Sequence, residues 1–452
     1  MNPFKYDLVR YTRGVGIEIS EDTQKMFPHF IKWNLEAVHL LRKHSMDFSC
    51  ITTKKFVLED IIQLFSVVKC NGFFIIIVPS AIDILEKFTA ILGWQLIETL
   101  KNDEASCYVF KQTCNTSQRV VKPTEGKKCA VLRYGGIGDM MMASIIFPEL
   151  KKQGYHVTLY THVNSYEVVK YNPHIDEVVL QDSGQVPIEE FRDFCLHTAK
   201  KYDKFINLSE SIEGTLLSLP DRVSYYWPKE VRHNQMKGNY YELTAAISSV
   251  QLLLQGNFYM TPKEEFFAIN LRKKLKTPII LWVLSGSSVH KFWPWQDQAI
   301  ARILVQHPTA TVVLAGDVSS KLLQQGWEKE PRVILTCGEW SVRETMAFCH
   351  FVDLIVTPET GVALAVQFKD IPKILLHSHS SPSNYAESWV NCTSITPDDC
   401  ECYPCHQMHY GFNYCNTVEL YGDENDKPAT VSKCQVNINV DKVTEAINRS
   451  LS

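Results

Sequence analysis

Three glycines in four positions, Gly135, Gly136 and Gly138, stand between the apolar run Ala130-Val131-Leu132 and a Met-rich stretch that extends to Lys152. That order predicts strand, glycine turn, helix. Without a Cβ the backbone can bend tightly and let a ligand approach closely. Asp139 then opens the helix at the mouth of whatever pocket the turn creates. A glycine turn alone also serves packing, so the second such element matters more. Thr357-Pro358-Glu359-Thr360-Gly361, far downstream, is another strand-to-helix turn. Two of them in separate α/β units predict a ligand held between two Rossmann-like halves.

The run RYGGIGDMMMASIIFPELKKQGYHVTLYTHVNSYEVVKYNPHIDEVV resembles the start of the heptosyltransferase family, glycosyltransferase family nine. LSGSSVHKFWPW and VTPETGVALAV resemble that family's donor-binding half, and the likeness covers residues 127–440. It implies a GT-B architecture, two Rossmann-like domains facing a cleft. It also implies inverting transfer of a sugar from a nucleotide diphosphate sugar, with no catalytic metal. The usual donor of such enzymes is ADP-heptose and the usual acceptor a lipopolysaccharide core.

Transfer of this kind needs a base for the acceptor hydroxyl and a cation or dipole for the departing diphosphate. Asp139 matches the base of the family's Gly-Asp pair, although an acidic residue at a helix start also satisfies free amides. On the donor side the resemblance points to Gly136, Gly138, Ser287, Ser288, Lys291, Gly316, Asp317, Glu359, Thr360 and Gly361. A lysine at 291 neutralises a diphosphate as a point charge. Thr360 and Gly361 are expected at a helix N-terminus, where amides suit a phosphate. Two positions depart from the pattern: Glu359 replaces an Asp, and Leu364 stands where a His is usual. The aromatic-basic stretch with Tyr226 and Arg232 and the loop with His377 and His379 are candidates for acceptor or sugar contacts.

At 452 residues the chain predicts two to four domains. Its net charge of −4 argues against a generally basic nucleic-acid coat. No charged segment followed by an apolar one opens the chain, and the longest apolar run, Phe73 to Val78, is far too short for a bilayer. Fourteen cysteines without a secretory signal predict mostly free thiols and a cytoplasmic location. The expected organisation is a first unit over 1–113, a polar linker over 114–126, an acceptor domain over 127–270 and a donor domain over 271–452.

The first unit resembles a shortened S-adenosylmethionine methyltransferase fold. MDFSCITTKKFVLED and FSVVKCNGFFIIIVPS look like its fourth strand, helix and fifth strand, the helix ending at Asn71-Gly72. Its cofactor turn is degraded: Gly14 and Gly16 are followed by Glu18 and Ser20, and Asn34 replaces the acidic ribose ligand. S-adenosylmethionine is therefore not expected. A unit kept for docking or acceptor recognition fits better, and the link between such folds and nucleobases makes a hydroxymethylated pyrimidine of DNA the alternative acceptor. A non-enzymatic binding platform is the second alternative.

Cys400, Cys402, Cys405 and Cys415 lie close in sequence, with His406, His409 and Cys434 nearby. Such soft ligands suit a structural zinc, but the spacing matches no familiar finger. Buried free thiols and disulfide chemistry stay open for this 400–434 segment.

Overall fold

The computed structural model describes residues 3–22, 24–54, 64–80, 94–112, 126–256, 258–411, 415–420 and 428–452. The expected linker lies outside them except for Gly126, as do 55–63 of the helix expected after Ile51. The described chain is α/β, with strands where β-branched and aromatic runs are bounded by Gly, Pro and Asn. It divides into two compact units. One comprises 1–130, 158–163 and 177–205; the other comprises 131–157, 164–176 and 206–452.

In the first unit, β1 (Gly16–Ile19), β2 (Ile31–Lys32), β3 (Met46–Thr52), β4 (Val68–Pro79), β5 (Trp94–Lys101) and β6 (Ala105–Gln112) form one sheet. Its order is β2-β1-β3-β4-β6-β5. The first four strands run parallel, and β6 is antiparallel to both its neighbours. Ile17, Phe74, Ile76, Tyr108 and Phe110 form part of its core. Asn71-Gly72 does not end a helix but lies inside β4. The register shifts there opposite Asp47, with Asn71 at φ 65°, so extra residues loop out as a bulge.

The glycines Gly14 and Gly16 lead into β1 rather than following it, and Gly16 leaves room for the Phe48 ring. Glu18 belongs to the strand itself. It is buried within β1, 3.2 Å from the Lys32 ammonium, and it accepts from the Met26 amide at 2.9 Å. Within the same unit the N-terminal segment is fixed by Arg10 on Glu177 (2.7 Å) and by Gln185, which donates to Val9 O (2.8 Å).

Strands β7 (Lys127–Leu132), β8 (Tyr155–His162), β9 (Glu177–Gln181) and β10 (Lys204–Asn207) form a second sheet in the order β10-β7-β8-β9. A third contains β11 (Ile279–Val283), β12 (Thr311–Ala315), β13 (Val333–Leu335), β14 (Leu354–Pro358), β15 (Lys373–Leu376) and β16 (Cys392–Ile395). Its order is β13-β12-β11-β14-β15-β16, and every pairing is parallel. Strand order reverses between β11 and β14. Ligands of doubly wound sheets enter the crevice beyond the strand ends at such a reversal. The C-terminal helix Val440–Leu451 covers this sheet with Val443, Ala446 and Ile447. A final antiparallel pair, β17 (Thr417–Leu420) and β18 (Ala429–Ser432), lies in the cysteine-rich segment.

Candidate active site

The loops after β11 and β14 and the glycine turn after β7 meet at one cavity of about 740 Å³. Two Rossmann-like halves thus face a common space, the GT-B arrangement. The two glycine turns pack against each other at its floor. A Cβ on Gly361 would lie 2.8 Å from the Gly138 nitrogen and 2.6 Å from Ile137 Cγ1. Gly135 adopts φ 126°, a conformation that side-chain-bearing residues rarely hold.

Asp139 lines the cavity from the third position of the helix Ile137–Ala143. Its Oδ2 accepts from the Gly136 amide at 2.8 Å and lies 3.3 Å from the buried Arg133 guanidinium. The helix-start reading is therefore true of one oxygen. Oδ1 has no hydrogen-bond partner among the described residues, which leaves it able to receive a proton.

Lys291 lines the same cavity. It is 7% exposed, and no carboxylate pairs with its ammonium among the described residues. Burial lowers its pKa, with Glu359 and Asp139 pulling the other way. Its stem folds back over Gly286, where a Cβ would come within 2.6 Å of Lys291 Cδ. Ser287, Gly316, Asp317, Thr360 and Gly361 also line the cavity. Ser288 does not: its hydroxyl donates to His409 O at 2.5 Å and lies 2.7 Å from His290 Nδ1.

The helix expected after Gly361 is a five-residue 3-10 turn, Val362–Val366. The Thr360 amide is spent on Pro358 O at 2.7 Å. Anion binding here would rest on the Thr360 hydroxyl and the Gly361 amide rather than on a helix macrodipole. Glu359 reaches the cavity edge, yet both its oxygens are engaged. They accept from the Ser378 and His379 amides (2.9 and 3.0 Å), from the hydroxyls of Ser378 (2.5 Å) and Ser380, and from His377 (3.2 Å), and the His379 ring nitrogen Nδ1 lies 2.7 Å from Oε2. Burial would raise this carboxyl, but His379 and His377 hold it well below the usual carboxylate range.

Of the acceptor or sugar candidates, only His379 lines the cavity. His377 is buried between Glu359 and Ser394. Arg232 is spent on the carbonyls of Cys405 (2.7 Å), Tyr225 (3.2 Å) and Trp227, and on Gln407. Tyr226 is 64% exposed, and its hydroxyl donates to Pro220 O. Arg232 and Tyr226 therefore hold chain segments together outside the cavity lining.

Residues that the sequence did not single out complete the walls. Glu213 stands on the Asp139 side, its Oε2 buried without a partner. Burial raises its carboxyl, Arg133 opposes, and Asp139 adds to the rise. Ile212, Leu216, Leu217 and Met142 make that wall apolar, and Trp340 lines the donor side after β13. Trp340 had one legible signal, its place just beyond a strand of the third sheet.

The cysteine-rich segment supplies wall residues Met408 and Tyr410. It is tied down by Ser218, which donates to His406 O (2.7 Å) and accepts from Met408 N (2.9 Å). The four expected zinc ligands do not assemble. Cys400 and Cys402 lie 3.4 Å apart, but Cys405 contacts Gln407 O and His409 (both 3.8 Å), and Cys415 contacts Ser432 (3.3 Å). Among the described residues no three or more His, Cys, Asp or Glu side chains gather as a metal site. Among the described residues twelve cysteines are free, whereas Cys70 is disulfide-bonded.

No protein-family model and no curated protein matches this chain. Solved structures do resemble it. The Escherichia coli ADP-heptose lipopolysaccharide heptosyltransferase II shares 16% identity at TM-score 0.47, over 72% of this chain and 98% of that one. A family-nine glycosyltransferase from Veillonella parvula shares 17% at 0.49, over 72% and 97%. An iron-containing dodecameric glycosyltransferase from enterotoxigenic E. coli shares 11% at 0.42, over 75% and 84%.

Proposed function

We propose that the protein is an inverting glycosyltransferase that uses a nucleotide diphosphate sugar. One observation carries the reading. Asp139, with one unengaged oxygen, and Lys291, with an unpaired buried ammonium, face the same cavity at a strand-order reversal. Such a cavity suits an anionic ligand on one side and a hydroxyl on the other. The diphosphate would lie against Lys291, Ser287 and the Gly361 amide, with the nucleobase toward Trp340. The acceptor hydroxyl would meet Asp139 Oδ1. As its oxygen bonds to the anomeric carbon, its proton passes to Asp139, and the anomeric C–O bond breaks with its electron pair going to the diphosphate. Attack from the face opposite the leaving group inverts that carbon.

Charge bears on the acceptor. Lys291 is the one lysine or arginine among the described residues that line the cavity, against the carboxylates of Asp139, Glu213, Asp317 and Glu359. A DNA backbone would need cations to replace its counterions. This favours a glycan hydroxyl over a modified base in DNA. The binding-platform alternative would leave an unpaired buried lysine without a purpose.

The first unit fits a methyltransferase-like remnant kept for recognition, as its parallel strands with an antiparallel terminal pair support. The turn after β1, Ser20-Glu21-Asp22, has no glycine for a methionine carboxylate and presents two acids instead. A structural zinc would require Cys405 and Cys415 to leave their present partners, and elemental analysis of the purified protein decides that point. Among the described residues no helix is long and apolar enough to cross a membrane. With most thiols free, we place the protein in the cytoplasm.

The test is transfer or hydrolysis of a nucleotide sugar by the wild type, abolished by Asp139→Asn. Activity retained in that variant would remove the base assignment.

A further inference from the structure

The loop after β15 carries a histidine that the transfer chemistry above does not yet use. His379 Nδ1 lies 2.7 Å from Glu359 Oε2. A carboxylate oxygen only accepts, so Nδ1 carries the proton and Nε2 the lone pair. Nε2 has no hydrogen-bond partner among the described residues, and His379 lines the cavity. Glu359 is over-determined by two amides and several hydroxyls, which locks the ring's tautomer and position. This is the arrangement that turns an imidazole into a poised proton acceptor. Leu364 lines the same cavity and offers no donor.

We propose that His379 is a second donor-side catalytic residue: Nε2 takes a proton from solvent when the nucleoside diphosphate enters, and the imidazolium then donates to a diphosphate oxygen beside Lys291. The proposal rests on the glycosyltransferase reading and deepens it. When the anomeric C–O bond breaks, the electron pair goes to the diphosphate while the acceptor proton goes to Asp139. The proton on His379 stabilises the leaving group and returns to solvent as product departs.

The surrounding charges explain why the proton arrives only with ligand. In the free protein burial lowers the His379 pKa, with Lys291 and His377 adding to that and Glu359 opposing it. His290, whose Nε2 is 3.2 Å from His379 Nδ1, and the nearby His406 and His409 are held low chiefly by their own burial. His290, His406 and His409 are therefore neutral at neutral pH, and Lys291 is a cation that acts on His379. A diphosphate adds negative charge next to that lysine and reverses the balance at Nε2.

Calorimetric titration of the full chain with ADP and with UDP at pH 7.5, in two buffers of different ionisation enthalpy, counts the protons exchanged. The wild type should take up a large fraction of one proton with the diphosphate that binds. His379→Gln should lose that uptake and bind about tenfold more weakly. Binding without uptake in the wild type overturns the proposal, even if every variant unfolds. Uptake that survives His379→Gln assigns the proton elsewhere and also overturns it, with His379→Asn as the second variant should the first melt early. Failure of both diphosphates to bind the wild type is a distinct result: it removes the glycosyltransferase reading, and His379's role with it.

Discussion

Replacing Lys291 with Met should weaken the donor complex while leaving the free protein as stable or more stable. The ammonium is buried without an ion-pair partner among the described residues, and burial disfavours its charged form. Removing it relieves that cost, and Met fills the channel over Gly286. In the complex the sign reverses. A unit charge about 4 Å from a phosphate oxygen is worth about 4 kcal/mol at an effective dielectric near 20. Part of this is offset by desolvating the phosphate, and Ser287 and Gly361 still bind it, so a net loss of about 2–3 kcal/mol follows. That corresponds to a dissociation constant about 30- to 150-fold higher. Because the lysine's pKa is lowered, wild-type affinity should fall as pH rises through the alkaline range, and the variant should lack this fall. Calorimetry with the nucleoside diphosphate and thermal melts of the free proteins measure both effects. Unchanged affinity would refute the phosphate role; a clear loss of stability would refute the description of an unpaired buried charge.

Gly361→Ala should destabilise the protein by about 1–3 kcal/mol and abolish donor binding, since its Cβ would press on Gly138 and Ile137; an unchanged denaturation midpoint would count against the packed glycine turns. Burial pushes His406 and His409 down to about 4. Below about pH 6.5 the unfolded chain then binds protons that the folded one refuses, and each histidine should remove about 2 kcal/mol of stability by pH 5. Equal urea midpoints at pH 7 and pH 5 would contradict this. S-adenosylmethionine should give no binding heat up to about 1 mM, equivalent to about −4 kcal/mol; micromolar affinity would overturn the account of the first unit.

The parallel strands were legible because each is an apolar run closed by a turn residue: Ile279–Val283, Thr311–Ala315 and Lys373–Leu376 lie where hydrophobic patterning puts them. Strand β16 was not, because Cys392-Thr393-Ser394-Ile395 is a half-polar edge whose pairing with β15 depends on tertiary contact. Asn71-Gly72 misled for a related reason. The dipeptide signals a chain break, but here the break is a bulge within one long strand, set by Asp47 on the neighbouring strand. Side-chain type was a poorer guide to the cavity than backbone position. Asp139, Lys291, Thr360 and Gly361 sit at strand ends, where the sheet order brings loops together. Arg232 and Tyr226 had suitable chemistry in an unsuitable place, their polar atoms taken up by nearby carbonyls. Glu213, Met408 and Tyr410 belong to irregular segments that no periodicity announces, and only the folded chain brings them beside Asp139.

In the proposed reaction Lys291 and Asp139 serve one nucleotide-sugar site in different steps. Its most direct test is a titration of a nucleotide-sugar panel into the wild type, Lys291→Ala and Asp139→Asn, followed by thermal melting and by release of the nucleoside diphosphate. A bound donor stabilises by mass action. At least one nucleotide sugar should raise the melting temperature of the wild type and of Asp139→Asn alike, and Lys291→Ala should lose the shift. Turnover should fall by about 10²–10⁴ in Asp139→Asn, the usual contribution of a positioned base. No stabilisation of the wild type by any nucleotide sugar, or full turnover in Asp139→Asn, would contradict the claim.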